Sequence, residues 1–308
     1  MQGIIIRSTG SWYDVKSENQ ELIKCRLRGK FKTKDLKVTN PIAVGDKVVW
    51  EWDDPKEKIG IITDILPREN YIIRKSVHKT AHGHLIAANI DQALIVVTLT
   101  SPRTSLGFID RFLVSAEAYR IPAVIAFNKQ DLLDEEDKAY QAELIEIYEE
   151  IGYRCLRTSA IQNAGIEDFE KILEGKITLL SGHSGVGKSS LLNAINPNLN
   201  LRTSEISNFA NKGVHTTTFA EMFELNPNTF IIDTPGIKEL GIAEIQPDEL
   251  SHYFPEMRDY LGTCKFGGRC THTHEPQCKI IEAVEKGLIA LFRYESYVSM
   301  LSGEDNRK

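Results

Sequence analysis

Residues 182–189 read Gly-His-Ser-Gly-Val-Gly-Lys-Ser, and no other stretch restricts the fold so tightly. The pattern fits G-x-x-x-x-G-K-[ST], in which glycines let successive backbone N–H groups curl around one phosphate. Residues 176–181 before it form a short apolar run of strand character, and residues 190–195 after it read as the first turns of a helix. Strand, loop and helix in that order are the context the motif needs, since the helix N-terminus adds partial positive charge at the phosphate. A phosphate-binding loop built from Gly182, His183, Ser184, Gly185, Val186, Gly187, Lys188, Ser189 and Ser190 is therefore expected. Lys188 would sit on the β- and γ-phosphates and Ser189 on Mg²⁺.

The surrounding pattern is alternating α/β from residue 89 onward. Apolar strands are expected at 91–99, 122–127, around 155–156, 177–180, 222–225 and 230–232, and helices at 106–119 and 135–151. Leu144, Ile147 and Ile151 are expected on one face of the second helix. Apolar strands between helices imply a mostly parallel sheet covered on both faces, with ligands beyond the strand C-termini. Residues 1–70 differ: five short runs at 3–8, 12–16, 22–28, 46–52 and 60–66, separated by turn residues, suit an OB-like β-barrel. Residues 246–308 read as small and helical. The expected domains are thus 1–70, 71–245 and 246–308. The basic stretch at 70–90, which contains no acid, reads as a linker or loop.

Further motifs fall at strand ends. Asn128-Lys129-Gln130-Asp131 follows the strand at 124–127. An Asp at that place can accept hydrogen bonds from guanine N1–H and the exocyclic amine, whereas adenine would present it with a lone pair. Lys129 can cover the base and Asn128 can tie loops together. Thr158-Ser159-Ala160 ends the next strand, and Ser159 and Ala160 are small enough for backbone N–H groups to approach the guanine oxygen. Asp233-Thr234-Pro235-Gly236 follows the strand at 230–232, where Asp233 can serve Mg²⁺ through water and the Gly236 N–H can meet a γ-phosphate. Between lies Lys212-Gly213-Val214-His215-Thr216-Thr217-Thr218. Thr217 is favoured over Thr216 as the threonine that completes the Mg²⁺ shell. Ile237 stands where many GTPases carry a water-positioning glutamine, so intrinsic hydrolysis should be slow. His215 is the candidate within the chain for that task, with a packing role in its loop as the competing reading.

Three of the five cysteines lie in the C-terminal part, Cys264, Cys270 and Cys278, with His272 and His274 between the last two. Three thiolates and one imidazole make a closed, structural zinc site. In the N-terminal part Lys24, Arg26, Arg28, Lys30, Lys32 and Lys34 occupy alternate positions, a pattern that suits contact with an RNA backbone and equally a lysine-rich edge strand kept from pairing. Because net charge is −6, any nucleic-acid surface must be local.

The order of the motifs is unusual. Common small GTPases run phosphate loop, switch threonine, D-x-x-G, N-K-x-D and S-A; here N-K-Q-D and T-S-A come first. This resembles the circularly permuted GTPases. With a barrel ahead and a Cys/His cluster behind, the whole chain resembles the bacterial ribosome small-subunit-dependent GTPase A (RsgA) family. The resemblance implies GTP hydrolysis to GDP and phosphate, stimulated by the small ribosomal subunit, contact with its rRNA, and a role in late subunit maturation. It also favours His272 over His274 as the fourth zinc ligand, one zinc per chain, and Mg²⁺ with GTP. The alternative is an RNA-binding protein whose nucleotide only sets affinity. A small-molecule kinase would need a second substrate pocket, for which the sequence offers no candidate. No apolar run approaches the roughly 18 residues that span a bilayer, and the N-terminus lacks the charged lead of a signal peptide, so a cytoplasmic monomer without membrane contact is expected.

Overall fold

The computed structural model describes residues 1–9, 11–29, 40–74, 84–201, 221–233 and 245–303. The chain divides into two compact units, Met1–Ala93 with Glu170–Leu180 and Leu192–Pro235, and Leu94–Phe169 with Ser181–Leu191 and Gly236–Lys308.

The first unit begins with β1 (Gln2–Ser8), β2 (Tyr13–Ser17), β3 (Leu22–Leu27), β4 (Lys47–Asp54) and β5 (Ile59–Ile65). Alternate residues turn inward with period two: Tyr13 and Val15 on β2, Ile23 and Cys25 on β3. They meet Ile5, Ile42, Val48, Trp50 and Ile62 in a core of the barrel's own. β1 pairs antiparallel with β2 and β4, β2 with β3, and β4 with β5, while β3 and β5 run parallel. The ring closes, which removes the exposed strand edges that invite aggregation.

Next comes a difference from the expected linker. Residues on either side of 75–83 form β6 (Tyr71–Arg74) and β7 (His84–Ala88), an antiparallel pair. The basic character of the stretch hid two short apolar runs, Tyr71-Ile72-Ile73 and Leu85-Ile86-Ala87, in which Ile72 and Ala87 are buried.

Along the rest of the chain follow β8 (Gln92–Val97), α1 (Leu106–Ala118), β9 (Ala123–Phe127), α2 (Glu135–Ile151), β10 (Arg154–Arg157), α3 (Ile166–Leu173), β11 (Ile177–Ser181), α4 (Lys188–Ile195), β12 (Glu221–Asn226), β13 (Thr229–Asp233), α5 (Lys279–Glu285) and α6 (Leu291–Ser302). In the first unit β12 and β13 form a hairpin, and β13 runs parallel to β11. The barrel is joined to this hairpin by backbone pairing of β1 with β12 at Arg7 and Glu221, and by a Lys16–Glu224 ion pair at 2.8 Å.

In the second unit β8, β9 and β10 lie side by side, β9 and β10 parallel. Ser105 caps α1 by accepting the Phe108 N–H, and Asp134 caps α2 by accepting the Asp137 N–H at 2.8 Å. The inner face of α2 is Gln141, Leu144, Ile145 and Tyr148; of the three residues expected to share one face, Leu144 is buried and Ile147 and Ile151 are half-buried. That face carries a polar anchor: the buried Tyr148 hydroxyl donates to Asp110 of α1 at 2.9 Å. A C-terminal core of Leu250, Phe254, Met257, Ile280, Tyr297 and Met300 includes Val114 of α1. Arg293 of α6, fully buried, donates to Asp110 at 2.7 Å and to Glu256 at 2.7 Å. Burial opposes its charge, but the two carboxylates outweigh burial and hold its pKa above the ordinary guanidinium value.

Candidate functional site

Strand β11 is buried along its whole length and delivers the chain to the phosphate loop, which α4 closes. Two glycines are demanded by close approach. Gly182 has φ +135°, and a Cβ there would lie 2.4 Å from the Val96 carbonyl oxygen. Gly187 has φ +98°, and a Cβ would lie 2.3 Å from the side-chain nitrogen of Asn128. The Lys188 ammonium donates to the carbonyls of Gly182 at 2.6 Å and His183 at 2.9 Å, which fixes it beside the curled backbone. Ser189 is buried in the first turn of α4, Val186 is buried, and Ser184 and Gly185 are exposed at the tip. The His183 ring stacks on Phe108, with centroids 4.0 Å apart.

The guanine motif is built onto this loop. Asn128 leaves β9 with 2% of its surface exposed. Its amide donates to the Val186 carbonyl at 2.8 Å and its oxygen accepts the Thr158 hydroxyl at 3.1 Å. One side chain thus ties together the phosphate loop, the N-K-Q-D turn and the T-S-A turn. Lys129 adopts the left-handed conformation, φ 64°, and its ammonium donates to the Ser101 carbonyl at 2.5 Å. Sites of this strained kind concentrate where a side chain must be aimed. The buried Ser159 hydroxyl donates to Asp131, which orients that carboxylate. Ala160 is half-buried beside it.

The backbone of Asp233 ends β13 in register with Leu180, two residues before the phosphate loop begins. His215, Thr216, Thr217 and Gly236 lie outside the described residues, as do Lys30, Lys32 and Lys34. Lys24, Arg26 and Arg28 are all exposed on or just after β3. Arg26 pairs with Asp53, and Arg28 pairs with Glu51 at 2.5 Å, so acids of β4 compensate two cations of the stripe. Two contributors had no sequence signal: Ser101 acts through its main chain, and Phe108 reads as an ordinary apolar helix position.

Cys264, Cys270, His272 and Cys278 converge, all buried, with their ligand atoms within 4.8 Å of one another. The Cys264 and Cys278 sulfurs are 3.8 Å apart, and His272 Nδ1 lies 3.6 Å from Cys264 Sγ and 3.4 Å from Cys278 Sγ. Tetrahedral zinc with bonds of about 2.3 Å to sulfur and about 2.05 Å to nitrogen requires edges of about 3.8 and 3.6 Å. The set therefore fits one tetrahedral metal ion. His274 is exposed and meets Thr273 instead. Burial lowers the His272 pKa, which favours the neutral imidazole a metal takes, and pushes the Cys270 thiol up to about 12, a preference that a bound cation would reverse. The loop is braced from outside: Tyr294 donates to the His272 carbonyl and Tyr297 to the Thr271 carbonyl, both at 2.8 Å. The Glu275 carboxylate accepts the Thr271 N–H at 2.6 Å and the Thr273 N–H at 3.0 Å.

Residues 65–243 match the family model described as RsgA GTPase, and residues 2–62 match the RsgA N-terminal domain. A relative from Cytophaga hutchinsonii, named small ribosomal subunit biogenesis GTPase RsgA, is 54% identical over 308 residues, covering 100% of both chains. The chain belongs to the RsgA GTPase family. A second relative, from Bacteroides thetaiotaomicron and named small ribosomal subunit biogenesis GTPase RsgA 2, is 49% identical across 100% of this chain and 98% of its own. Among solved structures, YjeQ from Thermotoga maritima superposes with a TM-score of 0.79 at 40% identity, covering 100% of this chain and 99% of that one. YloQ, described as a circularly permuted GTPase, gives a TM-score of 0.76 at 32% identity over 100% and 96% of the two chains. This RsgA-family chain is accordingly a GTP hydrolase with an N-terminal closed barrel, a central GTPase domain whose motifs run in permuted order, and a C-terminal Cys3His cluster that can hold zinc. Among the described residues no helix is long and apolar enough to cross a membrane.

Proposed function

We propose that this GTPase acts on the small ribosomal subunit, hydrolysing GTP to GDP and phosphate when the subunit stimulates it, late in subunit maturation and through contact with rRNA. The observation that carries the reading is Asn128, whose buried amide joins the phosphate loop to both base-reading turns. Such a joint suits a site that grips the base and phosphates of one ligand together. Asp131 selects guanine, with Ser159 orienting its carboxylate and Lys129 covering the base. Lys188 and the backbone N–H groups of residues 182–188 stabilise charge on the transferred phosphoryl group. Ser189, Asp233 through water, and Thr217 or Thr216 would hold Mg²⁺, which neutralises charge on the β- and γ-phosphate oxygens. Cys264, Cys270, His272 and Cys278 would hold one zinc ion as a structural crosslink. His215 is our candidate for orienting the attacking water.

The names of the Cytophaga and Bacteroides relatives support the ribosomal part. The exposed cations Lys24, Arg26 and Arg28, continued in sequence by Lys30, Lys32 and Lys34, support an RNA contact by the barrel. We read the chain as three modules, 1–70, 71–245 and 246–308, in a cytoplasmic monomer. The test is the GTPase rate with and without purified small subunits at two salt concentrations. Stimulation that fades with salt is expected, because phosphate contacts release counterions. Unchanged turnover with normal GTP binding would remove the ribosome from the function.

A further inference from the structure

The phosphate loop and the Cys3His module meet the same helix. On one side of α1, Phe108 stacks on His183 with ring centroids 4.0 Å apart. The carbonyl of His183 in turn receives the Lys188 ammonium at 2.9 Å. Two residues further, about 200° around the helix, Asp110 takes the Arg293 guanidinium of α6 at 2.7 Å. The neighbouring positions on α6 are Tyr294 and Tyr297, which hold the carbonyls of His272 and Thr271 in the metal-binding loop. Phe108, Asp110, Arg293 and Tyr297 are all buried, and α1 is buried continuously from Gly107 to Asp110. Close-packed side chains of this kind cannot shift singly, so a displacement at one end is felt at the other.

We infer that α1 is a coupling element: Phe108 is a positioning residue for Lys188, acting through His183, and the Cys3His module fixes the seat of Phe108 through Arg293 and Asp110. Nucleotide affinity then depends on a module that contributes no group to the nucleotide site, and metal affinity depends on nucleotide by the same factor, since coupling between two binding equilibria is reciprocal. This rests on the reading that the phosphate loop binds a guanine nucleotide.

Contiguous packing alone does not demonstrate energetic coupling, so the test is a double-mutant cycle. The dissociation constant of a fluorescent GDP analogue is measured on folded, zinc-loaded wild type, Phe108→Leu, Asp110→Asn and the double variant, with zinc content assayed in each. Failure of the wild type to bind GDP would sink the nucleotide reading itself. Given binding, Phe108→Leu and Asp110→Asn should each weaken it by about fivefold or more, Phe108→Tyr should retain it, and the double variant should lose less than the product of the two single losses. A GDP affinity untouched by Asp110→Asn, or losses that multiply independently, would overturn the coupling. Should Asp110→Asn not fold, Arg258→Ala takes its place under the same criteria, because Arg258 ties the far end of α1 to the same module through an exposed pair with Glu117. In wild type, saturating GDP should also raise zinc affinity in a chelator competition by the factor that zinc raises GDP affinity; no change would count against the inference.

Discussion

Replacing Asn128 with alanine tests the joint of the site most directly. In the structure its side chain makes two hydrogen bonds, to the Val186 carbonyl and from the Thr158 hydroxyl, with 2% of the residue exposed. Truncation leaves the Val186 carbonyl buried and unpaired and the Thr158 hydroxyl with only a long contact to the Phe127 carbonyl at 3.5 Å, at about 1–3 kcal/mol each, or roughly 2–6 kcal/mol together if neither finds water. Thr158→Val removes one of the two bonds and should cost about 1–2 kcal/mol. Part of the Asn128 loss should appear as stability and part as nucleotide affinity, because the base turn is no longer held against the phosphate loop. Every 1.4 kcal/mol that falls on binding is about tenfold in Kd. The assay is a thermal melt of both variants over a series of GDP concentrations, which reports stability and, through ligand-induced stabilisation, affinity. Asn128→Ala should melt lowest and respond least to GDP, with Thr158→Val between it and wild type. A variant at 128 that melts with wild type and binds GDP equally well would refute the argument, as would a larger loss at 158 than at 128.

Three further outcomes are expected. Asp131→Asn should lose GTP affinity by about tenfold or more and gain xanthine nucleotides, whose 2-oxo group suits an amide donor; unchanged GTP binding in a titration would remove the carboxylate from base reading. Cys278→Ser should lower zinc from one per chain, measured by elemental analysis, and destabilise the C-terminal core; full zinc content would exclude that thiol as a ligand. Arg293→Met should cost about 3–5 kcal/mol by leaving buried carboxylates without their cation, whereas Arg293→Met combined with Asp110→Leu and Glu256→Gln should recover much of it; chemical denaturation showing an innocuous single change would contradict the burial of that network.

Much of the site was legible because its chemistry is written in short local spacings. The phosphate loop needs glycines at fixed offsets, and Gly182 and Gly187 are where an added Cβ would collide with the Val96 carbonyl and Asn128. The α1 and α2 boundaries were legible from the helical pattern of apolar and acidic residues, while the caps Ser105 and Asp134 are findings of the structure. What stayed hidden depends on pairs distant in sequence. Tyr148 on the inner face of α2 has a buried polar partner on another helix, and apolar periodicity assigns no such anchor. The β6–β7 pair was masked by the basic residues between its strands. The alternating cations of β3 gave the exposed face correctly, yet their pairing with Asp53 and Glu51 belongs to barrel register, which no single strand encodes.

The Asn128 contact also sets a clock on synthesis. Its partner Val186 lies 58 residues downstream. At about 5–20 residues per second, a nascent chain waits roughly 3–12 seconds between making the base-reading turn and making the carbonyl that completes it. In that interval the amide N–H that will meet Val186 has only water to satisfy it, so a growing chain has no finished pocket until translation has passed the phosphate loop. Permuting the motifs has therefore reversed the order in which the two halves of the grip are born: the end that chooses the base comes first and must remain open until the end that holds the phosphates arrives.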